Sequence, residues 1–172
     1  MKTSNPGFSL LEIMVVVAII ALLAAVAIPR IRKPRASEVF IKQLNALCEL
    51  AYSQAVTSGK LQRIFFDFTK KTVTLESESG KNTAGEIVYK PAAIAHLKTT
   101  IEWPDEFQLQ SFYINEKVDI GSVTTFYFII MPHGLAQRVT INIFDQKNNN
   151  TFALVLNPFL VRFEVYDDAQ KP

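Results

Sequence analysis

The chain has 172 residues, 49% of them apolar and 20% charged, with a formal charge of +2 and a mean hydropathy of +0.16. It is too apolar for a disordered chain and too charged for a polytopic membrane protein. Its length suits one domain, or one domain with an appendage.

The apolar excess is local. Residues 8–28 hold 19 apolar residues out of 21, and the other 151 are 43% apolar, ordinary for a soluble domain that can bury a core. The charge is local too. Arg30, Arg32, Lys33 and Arg35 form a basic collar after the apolar run, and residues 36–172 sum to −2. The basic pI therefore comes from one short stretch and does not imply a nucleic-acid-binding domain.

As a helix, residues 8–28 would reach about 30 Å, the thickness of a bilayer core. A cleaved secretory signal, a plain anchor and a segment that requires its one charge all compete. Glu12 sits inside the run. It does not suit the apolar core of a signal peptide. In an anchor it costs about 2.5–3.5 kcal/mol on the lenient insertion scale.

An amphipathic helix is predicted over 36–58. Phe40, Leu44, Leu47, Ala51 and Ala55 recur at helical spacing, Ser37 can cap the start and Gly59 suits the end. Pro29 and Pro34 would kink or interrupt its join with the apolar helix; a continuous stalk over 8–58 would measure about 76 Å. Cys48 lies one residue off the apolar stripe and is expected to be a small buried hydrophobe. As the only cysteine, it permits no internal disulfide.

Beyond Lys60 the period becomes two. Leu61–Phe68 and Thr72–Ser77 read as a hairpin around Thr69-Lys70-Lys71. Residues 78–86 read as a loop, and Ile87–Tyr89 as a short strand. Residues 91–122 are poorly patterned, with a turn at Trp103-Pro104-Asp105. Four strands follow, at Thr124–Met131, Gln137–Phe144, Thr151–Leu156 and Val161–Tyr166. Pro132-His133-Gly134 and Gln146–Asn150 supply turns between them. The fold class is α+β, a long N-terminal helix packed on antiparallel sheet.

Catalytic chemistry is thinly represented. His96 and His133 are the only histidines and have no cysteine or histidine at metal spacing. No nucleophile elbow or glycine-rich phosphate loop occurs. The Asp145–Asn150 turn and Asp167-Asp168 lack the spacing of an EF-hand, so a solvated turn is expected there. No catalytic residue, metal or cofactor is expected, and the chain does not read as an enzyme.

Lys2-Thr3-Ser4-Asn5-Pro6-Gly7-Phe8-Ser9-Leu10-Leu11-Glu12 resembles the type IV prepilin leader and the start of the mature pilin. The shared pattern is a short basic leader ending in Gly, then Phe, then Glu four residues on, then a long apolar helix. Pro29 sits where such proteins commonly carry a helix-kinking proline. The resemblance implies that a prepilin peptidase cuts between Gly7 and Phe8 and methylates the new amine, and that Glu12 serves filament assembly. It divides the chain into a leader at 1–7, a transmembrane and filament-core helix at 8–29, a basic collar and continuing helix at 30–59, and a β domain at 60–172.

Leu50–Phe68 is similar to the helix-to-first-strand segment of minor pseudopilin H of type II secretion systems, and equally to minor pilin T of type IV pili. Phe128–Gly134 resembles the F-x-P-x-G turn of both, and Thr140–Asn157 their closing hairpin. One departure is that Phe159-Leu160-Val161 stands where the family often has a glycine-containing turn.

The resemblance implies a single-pass inner-membrane protein with its C-terminal domain in the periplasm, incorporated at or near a pseudopilus tip. Its implied partners are other pseudopilins, the prepilin peptidase, the inner-membrane assembly platform, and secreted substrates or the secretin. Nucleic acid is not expected. The alternative is a minor pilin of a type IV pilus, acting in priming or DNA uptake.

Overall fold

The computed structural model describes residues 9–27, 35–115, 117–119 and 124–170. The chain divides into two units, Met1–Pro34 and Arg35–Pro172. Gly7, Phe8, Pro29, Pro34, Arg30, Arg32 and Lys33 lie outside the described residues.

In the first unit, α1 spans Leu10–Ala27 and carries no charge except Glu12 in its first turn. Ser9 caps it. The Glu12 N–H donates to Ser9 Oγ at 3.2 Å and lies 3.0 Å from the Ser9 carbonyl oxygen. Ser-x-x-Glu is the capping-box spacing, and a carboxylate in the first turn complements the helix dipole. Eighteen residues give about 27 Å, just under a bilayer core. Among the described residues no helix is long and apolar enough to cross a membrane.

In the second unit, α2 spans Ala36–Ser58 and buries Phe40, Leu44, Leu47, Cys48, Ala51 and Ala55, the predicted stripe together with Cys48. Its start differs from expectation. Arg35 is the N-cap residue, extended at φ −63°, ψ 148°, and no side chain caps the helix. Ser37 already lies inside the first turn and cannot do so. Since Arg35 is not helical, α2 begins afresh at Ala36, which excludes an uninterrupted helix over 8–58. At the other end Gly59 takes φ 65° and its N–H bonds to the Ala55 carbonyl at 3.0 Å, a left-handed cap that favours glycine.

Two antiparallel sheets complete this unit. Sheet A runs β3 (Ile87–Pro91), β2 (Thr72–Lys81), β1 (Gln62–Asp67), β7 (Thr125–Ile130), and β4 (Thr100–Glu102) also pairs with β2. Sheet B runs β10 (Arg162–Tyr166), β9 (Asn150–Asn157), β8 (Val139–Asp145), β5 (Phe107–Ile114), β6 (Lys117–Asp119). In β7, Phe126, Phe128 and Ile130 are buried while the alternate residues are not, the pattern of a strand with one face in the core.

The core is aromatic where α2 meets the sheets. The Phe40 ring meets Trp103 edge-on at 5.3 Å and Phe107 at 5.7 Å. Phe66 stacks on Phe126 at 5.0 Å. The Trp103 indole N–H donates to the Phe107 carbonyl at 3.1 Å, so the buried ring keeps its polar atom satisfied.

Several local readings change. The expected loop at 78–86 is shorter, because β2 continues to Lys81 past a register shift between Glu78 and Gly80. Asn82 Oδ1 then accepts from the N–H groups of Ala84 and Glu86, closing the turn. The described residues of 91–122 hold three strands, β4, β5 and β6. β4 has only three residues, and a register shift between Leu109 and Ser111 breaks the alternation of β5, which removes the period-two signal. The Trp103–Asp105 turn does join β4 to β5.

The departing turn after Asn157 is held without glycine. Asn157 Oδ1 accepts from Phe159 and Leu160 N–H at 3.0 and 3.2 Å. Val161 takes φ 50° while almost wholly buried. A β-branched residue there stores about 1–3 kcal/mol of strain.

Gly134 ends the Pro132-His133-Gly134 turn at φ 86°, and an added Cβ would come 2.7 Å from the Tyr52 ring. Gly134→Ala is expected to cost about 1–3 kcal/mol, part backbone strain and part clash. Thermal unfolding of the single mutant and of Gly134→Ala with Tyr52→Ala separates the two. The double mutant should recover the clash component only.

Candidate functional site

Glu12 is the one charged side chain of α1, at its N-terminal end, and its surroundings Leu10, Leu11, Ile13 and Met14 are all exposed in the isolated chain. Apolar side chains of this size are the kind of surface that association would bury. Gly7 and Phe8, the expected processing residues, lie outside the described residues, so their geometry relative to Glu12 is not defined. The Ser9 cap is a local structural feature that the sequence reading missed; its signal was the Ser9-x-x-Glu12 spacing itself.

The remaining candidates do not converge. His96, at φ 63°, and His133 are both exposed and lie in separate turns. Cys48 is fully buried, and loss of hydration pushes its thiol well above the usual range, so it is inert as a nucleophile. Asp145 is occupied as a turn cap. Its carboxylate accepts from the N–H groups of Lys147 and Asn148 at 3.0 and 3.1 Å and from Asn148 Nδ2 at 2.7 Å. Among the described residues no group of three histidine, cysteine or acidic side chains is placed to hold a metal.

The outer face of sheet A carries an aromatic cluster around one cation. The Arg63 guanidinium lies 5.1 Å from the Phe65 ring centre, 4.4 Å from Tyr89 and 5.0 Å from Tyr127, and pairs with Glu76. Burial is the largest cause raising the Tyr89 hydroxyl above its ordinary 10.0. A cation already paired and stacked this way is a poor phosphate ligand.

Amide side chains close several backbone positions. Asn45 Oδ1 accepts from the Phe163 N–H at 2.7 Å and Asn45 Nδ2 donates to its carbonyl at 3.2 Å. Gln137 does the same for Ile129. Its Oε1 accepts from the Ile129 N–H at 2.9 Å and its own N–H donates to the Ile129 carbonyl at 3.1 Å. Asn142 holds both backbone groups of Gln170 at 2.9 and 3.0 Å.

An α2 helix packed on antiparallel sheets, in a chain whose first unit is an apolar helix opening on a capped glutamate, has the α+β architecture of a pilin-like fold. The sequence model of the prokaryotic N-terminal methylation motif matches residues 2–28. Two solved structures of the minor pseudopilin EpsH, from the type 2 secretion system of Vibrio cholerae, are similar in fold. One has a TM-score of 0.52 at 11% identity, covering 76% of this chain and 95% of that one. The other has a TM-score of 0.52 at 10% identity, covering 78% and 95%. No similar sequence was found among curated proteins. The chain thus combines the methylation motif of prepilin-type proteins with a pseudopilin-like fold.

Proposed function

We propose that the chain is a minor pseudopilin of a type II secretion system, a structural subunit at or near the tip of a periplasmic filament, and not an enzyme. The observation that carries this reading is the joining of a prepilin methylation motif at residues 2–28 to a fold like that of a minor pseudopilin. Residues 1–7 are the leader, removed by a prepilin peptidase at the Gly7–Phe8 bond. Residues 8–29 are held in the inner membrane before assembly and in the filament core after it, the collar and α2 fill 30–59, and the β domain at 60–172 lies in the periplasm. Partners are other pseudopilins, the peptidase and the assembly platform, and the exposed domain meets secreted substrates or the secretin.

The chemistry of assembly follows from the charges. Cleavage frees an α-amine on Phe8, four residues before Glu12. Subunits in a helical filament are axially offset, so one subunit's carboxylate meets its neighbour's amine within the apolar bundle. At 4 Å and an effective dielectric of 20 the attraction is about 4 kcal/mol. That offsets much of the desolvation cost and fixes register, because an unpaired charge in the bundle is far worse. An amine formed only by cleavage also restricts assembly to processed subunits.

Glu12→Leu separates these roles. The variant should lose residues 1–7 normally, yet fall about tenfold or more in the sheared filament fraction. Wild-type incorporation would refute the ion pair.

A further inference from the structure

We propose that the edge of β7 at Thr125 and Tyr127 is a docking site for an extended, uncharged strand of a neighbouring filament subunit, which lengthens sheet A by one strand. It rests on the filament reading for the identity of the partner.

The backbone pattern comes first. The Phe68 N–H donates to the Thr124 carbonyl at 2.9 Å, and β7 pairs with β1 in register from Asp67–Thr125 to Gln62–Ile130. Hydrogen bonding alternates along an antiparallel pair. Phe126, Phe128 and Ile130 therefore bond to β1, while Thr125, Tyr127 and Ile129 direct their N–H and C=O groups to the open side. The Gln137 bonds to Ile129 confirm this phase. Gln137 closes the edge at Ile129, and Asn45 closes β10 at Phe163 in the same way. Among the described residues Thr125 and Tyr127 have no such partner on that side. They offer two donors and two acceptors, two residues apart, which is the repeat an added strand requires.

A groove of about 360 Å³ lies along this edge, walled by Phe65, Phe112, Ile114 and Ile129 with Gln137 at one end. None of its lining side chains is charged. That disfavours a phosphate backbone, a lipid headgroup or an acidic peptide, and suits a strand with apolar or hydroxyl side chains. Phe65 and Tyr127 stand directly opposite each other across β1 and β7, beside Arg63. A residue added opposite Tyr127 would extend that row and gain cross-strand contact. An open edge of this kind is usually blunted by charge or proline, and Thr125–Ile130 contains neither. Pairing of β7 with a second copy's β7 would be two-fold and closed, consuming both edges. A growing filament needs heterologous contacts, so the occupant is a strand other than β7 on a neighbouring subunit.

Proline tests the edge without touching the core. The residue-125 N–H points away from β1, so Thr125→Pro removes one docking donor and no ladder bond. Thr125→Ala removes the side chain alone. In cells, full-length Thr125→Pro should fall about tenfold in the sheared filament fraction, with Thr125→Ala within about twofold of wild type. Amide exchange of the wild-type chain supplies a readout independent of folding of the variant. The Tyr127 amide should exchange at least about tenfold more slowly in filaments than in detergent, while the Phe126 amide is protected in both. Equal Tyr127 exchange in the two states overturns the docking edge and leaves the filament reading intact. Slowed Tyr127 exchange in detergent that depends on protein concentration shows β7 self-pairing and overturns the choice of partner. Absence of the chain from every sedimentable assembly overturns the filament reading and this inference together.

Discussion

Phe66→Ala is expected to destabilise the chain by about 3–5 kcal/mol, the cost of removing a large buried aromatic ring. Phe66 is fully buried, and its ring meets Phe68, Trp103, Phe126 and Phe128 within 6.3 Å. Those neighbours belong to β7, to the turn after β4 and to the residue after β1, so collapse around the cavity would have to move several elements at once. Cavities that cannot collapse sit at the costly end of the range. Thermal unfolding of the detergent-solubilised chain should fall by roughly 10–15 °C. Phe65→Ala, one residue away on the outer face, should cost far less. Equal losses at the two positions would contradict the inside–outside assignment of β1.

Gly7→Glu is expected to abolish processing. In the proposed processing the bond cut lies between Gly7 and Phe8, and a peptidase must take the backbone on its leaving side into a confined site; glutamate adds a charged side chain there where glycine has none. The variant should accumulate as precursor still carrying residues 1–7. It should also be missing from filaments although Glu12 is unchanged, because no Phe8 amine forms. Gly7→Glu and Glu12→Leu therefore fail at different steps. The first leaves precursor, and the second leaves processed but unassembled subunit. A Gly7→Glu chain found cleaved and assembled would remove the peptidase step.

The parts of the fold legible in the sequence were those whose pattern is local. The stripe of Phe40, Leu44, Leu47, Ala51 and Ala55 marks α2, and Gly59 its end, because helical burial and a left-handed cap repeat within a few residues. The β8–β9 hairpin is similarly plain: β8 is nearly continuous in apolar or buried residues and the polar run Gln146–Asn150 marks the turn. What was not legible depends on distant partners. β4 is too short for a period, and β5 loses its alternation at the shift after Leu109. The pairing of Asn45 with Phe163, 118 residues away, has no local signature at all. Ser37 misled because a serine near a helix start suggests a cap, while the helix begins one residue earlier, after an extended Arg35.

The candidate site divides the same way. The Gly7–Phe8 junction and Glu12 stand out as residue types at a spacing, and an apolar helix with one carboxylate draws notice without any fold. The β7 edge could not be seen in advance. Whether Thr125 and Tyr127 face β1 or the open side is set by the pairing of Phe68 with Thr124, and a register shift of one residue would reverse it.

Intact mass spectrometry of the chain extracted from membranes is the most direct measurement of the central proposal. A chain beginning at Phe8, lacking residues 1–7 and carrying one added methyl group on its amine, is the expected result. A chain that still begins at Met1, or one cut after the apolar run at Ile28, would contradict it.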